Sequence, residues 1–243
     1  MKTLLHAASL AAWLAMSQAS AGISLNGTRI IFDGAHPEAS VTVRNHGADI
    51  LVQSWLEAQD GDKAELPFAI TPPLTRLPAG QEQLLRILYA GAGASDQQET
   101  AFWLNVQEIP QAAGKGNVLQ LAVRQRVKVF YRPPGLDGHA LQAPERLRWR
   151  LRRERGNSWL QADNPSRYHV TVTGLTLLSG GKSKEISRAQ MLAPGSGGQW
   201  PLPADTTNDA RLRYQIINDF GASQAFEAQL QGVAPAQPRR LEP

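Results

Sequence analysis

Val118–Tyr131 reads VLQLAVRQRVKVFY, and this stretch decides the class of fold. Leu119, Leu121 and Val123 recur at a period of two, and the remainder is rich in β-branched and aromatic residues, as a strand requires. Upstream, Ala101–Ile109 (AFWLNVQEI) is equally strand-like. Ser40–Arg44, Ile50–Glu57 (ILVQSWLE) and Leu84–Tyr89 (LLRILY) repeat the pattern, with Asn45-His46-Gly47 and Pro78-Ala79-Gly80 as turns between them. No long segment carries a helical period of 3.6, and turn residues return at the spacing of a β-sandwich.

Downstream, Arg132-Pro133-Pro134-Gly135 cannot continue a paired strand, because two prolines remove two ladder donors. A domain boundary is therefore expected at 132/133. Arg146–Arg152, Ser158–Asp163, His169–Leu178, Arg211–Asn218 and Ala225–Gln231 then read as strands of a second sandwich. The predicted organisation is a first domain over 22–132, a second over 133–232 and a loose, proline-rich tail over 233–243.

At the other end, Lys2 followed by an apolar run from Leu4 to Met16 and by Ala19-Ser20-Ala21 has the order of a cleaved signal peptide over residues 1–21. The run is too short for a permanent membrane span, and nothing later approaches about eighteen consecutive apolar residues, so no membrane insertion is expected. The 243 residues contain no cysteine, which excludes thiol chemistry and thiolate metal sites. The net charge of +4 is spread along the chain apart from a cluster at Arg146–Arg155. A solvated strand surface explains that cluster, and no nucleic-acid partner is implied.

Catalytic chemistry has no visible home, so the chain reads as a non-enzyme without cofactor or metal. The five histidines show no paired spacing for a metal and sit in turn or strand-edge contexts. Gly91-Ala92-Gly93 lacks the third glycine of a dinucleotide loop. Gly180-Gly181-Lys182-Ser183 lacks the first glycine of a phosphate loop and reads as a hairpin turn. Asp60-Gly61-Asp62 is a turn without the further oxygen ligands of a calcium loop.

Several segments in order carry a more specific signal: Ile23–Gly34 (ISLNGTRIIFDG), Leu51–Glu57 (LVQSWLE), Pro67–Leu77 (PFAITPPLTRL), Phe102–Pro110 (FWLNVQEIP), Val118–Pro133 and Ile216–Gly221 (IINDFG). Together they resemble the periplasmic, PapD-like chaperones of chaperone–usher pili. The resemblance implies an all-β protein of two immunoglobulin-like sandwiches in a boomerang, with a cleft between them. It implies an ATP-independent chaperone that completes pilus subunits by donor-strand complementation and hands them to an outer-membrane usher. Leu119, Leu121 and Val123 would be the lent apolar residues. Arg29 and Lys128 would hold the subunit's terminal carboxylate, and Glu99, Arg132 and Asp219 would form a charged network between the domains. Thr71-Pro72-Pro73 matches a segment where the family has a cis proline. The short connection Gln111–Asn117 resembles the short F1–G1 loop branch, which serves rod-like pili, and the free lending edge leaves self-association of the chaperone open.

Two expectations follow for the structure to meet. Lys128 has the opposite parity to Leu119, so a bulge between them is expected. The competing function is a secreted adhesive or carbohydrate-binding β-sandwich, which would need exposed aromatic platforms. Trp55, Trp103, Trp149 and Trp159 fall in strand-like positions and only Trp200 reads as loop-borne.

Overall fold

Alternation of apolar and polar residues builds nine strands among the described residues of the first half of the chain. They are β1 (Ile23–Leu25), β2 (Arg29–Asp33), β3 (Glu38–Asn45), β4 (Ile50–Ala58), β5 (Phe68–Thr71), β6 (Leu74–Leu77), β7 (Glu82–Tyr89), β8 (Thr100–Pro110) and β9 (Arg124–Arg132). The computed structural model describes residues 22–59, 65–111 and 121–242. Leu119, most of the 111–117 connection, Asp60-Gly61-Asp62 and the 1–21 leader lie outside the described residues.

These strands pair as a four-stranded sheet, β1-β3-β7-β5, and a five-stranded sheet, β2-β9-β8-β4-β6. Between them lies a core that includes Phe32, Val43, Val52, Leu85, Ile87, Phe102, Leu104 and Val129. Its aromatic centre is tight, with the rings of Phe68 and Phe102 stacked at 4.4 Å and Phe32 edge-on to Tyr131 at 5.3 Å. Pairing is antiparallel throughout except for β2 and β9, which run parallel with Arg29 opposite Lys128 and Asp33 opposite Arg132. The Thr71–Pro72 bond is cis.

β9 ends at Arg132, and a 3₁₀ turn over Ala140–Arg146 leads into β10 (Arg148–Glu154), β11 (Asn157–Asp163), β12 (Val170–Ser179), β13 (Lys182–Leu192), β14 (Gly197–Leu202), β15 (Asp209–Ile217), β16 (Ser223–Gln231) and β17 (Arg239–Arg240). They form sheets of order β10-β11-β14 and β13-β12-β15-β16-β17. A second core lies between them, around Trp149, Leu160, Leu175, Leu212, Tyr214 and Phe226. Trp149 Nε1 donates to the Tyr214 hydroxyl at 3.1 Å, which satisfies both buried polar atoms. The hairpin read at Gly180-Gly181 joins β12 to β13, with Ser179 opposite Lys182. Both glycines have positive φ, +56° and +75°, the conformation a two-residue hairpin of this kind demands.

Trp200 lies within β14, 6% exposed in the second core, because its neighbours pair with β11 on one side and its ring packs on Trp149 at 5.7 Å. β13 was not legible as a strand: it is a sheet edge, largely exposed, so its residues need no apolar alternation.

The C-terminal stretch is strapped down rather than loose. Ala236 exchanges both backbone hydrogen bonds with Trp149 at 2.7 and 2.9 Å, β17 pairs with β16, and Leu241 N donates to Ala225 O. Arg239 adds an ion pair to the buried Glu227 at 3.0 Å. Proline kept the segment from looking strand-like, but it needs only a few ladder bonds to dock. Deleting residues 233–243 should therefore lower the stability of the second domain by about 1–3 kcal/mol, at about 0.5–1.5 kcal/mol per net hydrogen bond. Urea unfolding followed by tryptophan fluorescence would show it, and an unchanged midpoint would return the segment to a passive tail.

Candidate functional site

β9 meets two different neighbours along its length, and that difference makes the site. On one side β8 accompanies it from Arg124, opposite Gln107, to Tyr131, opposite Thr100. On the other side β2 pairs only with Lys128–Arg132. Glu108 N donates to Val123 O at 3.0 Å and Val123 N donates to Glu108 Oε1 at 3.2 Å, so the backbone of Val123 faces β8 and that of the residue after it faces the other way. The backbone groups of Arg124 and Arg126 therefore aim away from β8, toward the side that β2 has not yet reached. This is an open sheet edge, able to pair with another extended chain.

The side chains along this edge divide cleanly by parity. Val127 and Val129 face the first core, and Val123 and Leu121 continue that face past the end of the sandwich. There the core no longer covers them, and Leu121 is 70% and Val123 36% exposed. Arg124, Arg126 and Lys128 lie on the opposite face. The ladder from Arg124 to Tyr131 is continuous, with no shift of register, so no bulge falls between Arg124 and Lys128. The two parities belong to the two faces of one regular strand.

The cationic face runs beside two tryptophans. Arg124 lies over Trp55 at 4.9 Å and Arg126 over Trp103 at 4.3 Å, and both arginines pair with Glu57. Lys128 lies 5.2 Å from the Trp103 ring, and Arg29 5.7 Å from that of Phe130. Unlike the first two cations, neither Lys128 nor Arg29 pairs with a carboxylate among the described residues. Arg29 Nη1 donates to Ile217 O at 3.1 Å, its Nε is buried without a partner, and Lys128 Nζ rests 3.1 Å from Met191 Sδ. Burial lowers the pKa of both groups, and Lys128 is lowered further by the neighbouring charge of Arg29. Asp219 and Glu99 act on Arg29 in the opposite sense but do not reverse it.

A second cluster of charge lies at the junction of the two sandwiches. Arg132, the last residue of β9, donates through Nε to Glu99 at 2.7 Å and through both terminal nitrogens to Asp219 at 2.7 and 2.8 Å. The bidentate grip on Asp219 is the strong geometry for a guanidinium and a carboxylate. Burial alone would lower the Arg132 pKa, but the two carboxylates more than offset it and hold it above the usual arginine range. Glu99 also accepts from the backbone N–H of His169 at 2.8 Å, and its Oε1 lies 2.8 Å from His169 Nδ1. The His169 and Glu99 side chains are 7% and 1% exposed.

His169, one of the histidines in a turn or strand-edge context, is thus buried at the junction, and nothing in the sequence pattern marks it. Glu99 precedes β8, seventy residues before His169 in sequence, and only the fold brings the two together. The turn that carries Asp219 is itself pinned: Gly221 has φ of +78°, and a Cβ there would meet Thr28 Oγ1 at 2.4 Å. Only glycine allows this turn to lie against the strand entry before Arg29.

Comparison with known proteins follows the same division of the chain. Residues 22–137 match the family model described as pili and flagellar-assembly chaperone, PapD N-terminal domain, and residues 142–228 match the pili assembly chaperone PapD, C-terminal domain. The probable fimbrial chaperone LpfB of Escherichia coli O157:H7 is 37% identical over 227 residues, covering 91% of this chain and 94% of that protein. The crystal structure of the YadV chaperone superposes with a TM-score of 0.74 at 34% identity, over 86% of this chain and all of that one. The SafB chaperone of Salmonella enterica, solved in complex with the SafA pilin, gives 0.69 at 25% identity, over 93% of this chain and 99% of the matched one.

Proposed function

This chain belongs to the family of pilus-assembly chaperones, and on that premise we propose that it captures pilus subunits along the free edge of β9 and delivers them to an outer-membrane usher. Members of this family are non-enzymatic and work in the periplasm. Export by cleavage of residues 1–21, the domain limits 22–132 and 133–232, and the short-loop branch are parts of the same proposal. The short run Gln111–Asn117, which follows directly on β8, supports the last of these.

The observation that carries the reading is the pair of partly buried cations, Arg29 and Lys128, where the open edge ends. A strand added beside Leu121–Val127, on the β2 side and in line with β2, runs parallel to β9 and terminates where β2 begins. Its last residue then meets Arg29 and Lys128, neither of which makes an ion pair with a carboxylate among the described residues. A terminal carboxylate supplies the missing charge and fixes the register, and a slip of one residue would turn every side chain to the wrong face. Leu121 and Val123, and Leu119 in the undescribed part of the strand, would then fill a subunit's incomplete core.

Co-expression with a pilus subunit tests this: the subunit should be recovered from the periplasm bound to the chaperone and be degraded without it. A subunit that accumulates equally in both strains would sink the proposal. Within it, Leu121→Glu should weaken capture strongly, because full burial of a leucine is worth about 1.5–3 kcal/mol. Its melting temperature should not move, since Leu121 touches little of its own domain. Unfolding of that variant would instead assign Leu121 to the chaperone's core.

The adhesive alternative is not favoured: the relatives are chaperones, and Trp159 is half-buried within β11. Trp149 and Trp200 are buried, and Trp55 and Trp103 are stacked under arginines.

A further inference from the structure

Past the leader, this chain has one sulfur atom. Cysteine is absent, and of its three methionines Met1 and Met16 precede residue 22. The third, Met191, lies near the end of β13 opposite Thr171 of β12, and its thioether reaches across the cleft to within 3.1 Å of the Lys128 ammonium. It is partly exposed.

A thioether is a weak acceptor. It covers the ammonium in the free protein, where water or an acid would otherwise sit, and yields to a carboxylate at little cost. A sulfoxide is a polar group with a strong acceptor oxygen. We propose that Met191 is an oxidation site that controls the anchor: its conversion to the sulfoxide satisfies the Lys128 ammonium from within and closes the site to an incoming carboxylate. The inference rests on Arg29 and Lys128 being the carboxylate anchor.

The oxidant class is a hydroperoxide. The sulfur lone pair attacks the distal peroxide oxygen, the S–O bond forms as the O–O bond breaks, and water leaves when the oxidant is hydrogen peroxide. Sulfur loses two electrons, the peroxide gains them, and the change is reversible by methionine sulfoxide reductases.

The test uses the full mature protein and a synthetic peptide of alternating apolar residues with a free terminal carboxylate, beside the same peptide as its terminal amide. Unoxidised protein should prefer the acid over the amide; equal binding of the two would overturn the anchor reading and this inference with it. Treatment with hydrogen peroxide until mass spectrometry shows one added oxygen on Met191 should weaken acid binding about tenfold, as expected for loss of one charge-assisted bond. Amide binding should be unchanged, and reductase treatment should restore the acid affinity. Met191→Leu should bind the acid as the wild type does and ignore peroxide, and Met191→Gln should resemble the oxidised protein. Full oxidation of Met191 with undiminished acid binding, or equal loss in Met191→Leu, would overturn the proposal.

Discussion

Replacing Lys128 with methionine should cost subunit capture roughly 10- to 150-fold in affinity while leaving the free protein at least as stable as the wild type. The loss follows from one charge-assisted hydrogen bond, worth about 1.5–3 kcal/mol when desolvated. The gain in stability follows from the state of the site without a partner. Asp219 and Glu99 only partly offset the burial of Arg29, and Lys128, partly buried beside it, makes no ion pair with a carboxylate among the described residues. Its folded pKa lies below its unfolded one, so the folded state binds its proton less readily than the unfolded chain does. The penalty is present in full wherever the ammonium is charged in both states, at neutral pH and below. It fades as pH rises through the folded pKa and is gone above the unfolded value near 10.5. Calorimetry at pH 7 should therefore show Lys128→Met melting at or above the wild type, with the difference shrinking toward pH 10. Binding of an acid-terminated subunit peptide at wild-type affinity would remove Lys128 from the anchor.

The same residue shows where a one-dimensional reading stops. The period of two in Val118–Tyr131 was legible, and so was the opposite parity of Lys128. Their reconciliation was not, because parity says which face a side chain takes and not what that face meets. Leu121 and Val123 lie beyond the core and are exposed, while the lysine looks into the cleft. A bulge would have put both on one face and spoiled the separation.

Contacts between the halves were the least legible. Met191 sits near the end of a polar edge strand that has no apolar period, and His169 sits just before β12. Neither carries a spacing that points to Lys128 or Glu99. Arg29 and Lys128, ninety-nine positions apart, become register neighbours only because β2 runs parallel to β9. That pairing was reached by resemblance and not by periodicity. Trp200 and the 233–242 segment failed for a common reason: prolines beside them read as loop, although each needed only local pairing to dock.

The junction between the sandwiches supports the largest effect on stability. Arg132→Ala should destabilise the protein by about 3–5 kcal/mol, the usual cost of removing one partner from a buried ion pair. Glu99 would be left almost fully buried, with only His169 as side-chain partner among the described residues, and Asp219 would lose both of its bonds to the guanidinium. Asp219→Ala should cost less, because that carboxylate is 26% exposed and Arg132 would keep Glu99. The order of effects, Arg132 before Asp219, separates a buried network from a decorative surface pair, whose contribution would be about 0–1 kcal/mol. Replacing Arg132 and Glu99 together by apolar residues of similar size should recover only part of the stability, since the most buried charge is then gone but Asp219 and the buried His169 N–H and Nδ1 lose their partners. The angle between the domains should not recover, because an apolar contact lacks the directional grip that Arg132 has on Asp219 and that Glu99 has on His169. Urea unfolding of each variant, read on its first transition, and small-angle scattering of the double variant would measure the two properties apart. A change below about 0.5 kcal/mol in Arg132→Ala, the range of an ordinary surface substitution, would show that the junction is held by packing alone.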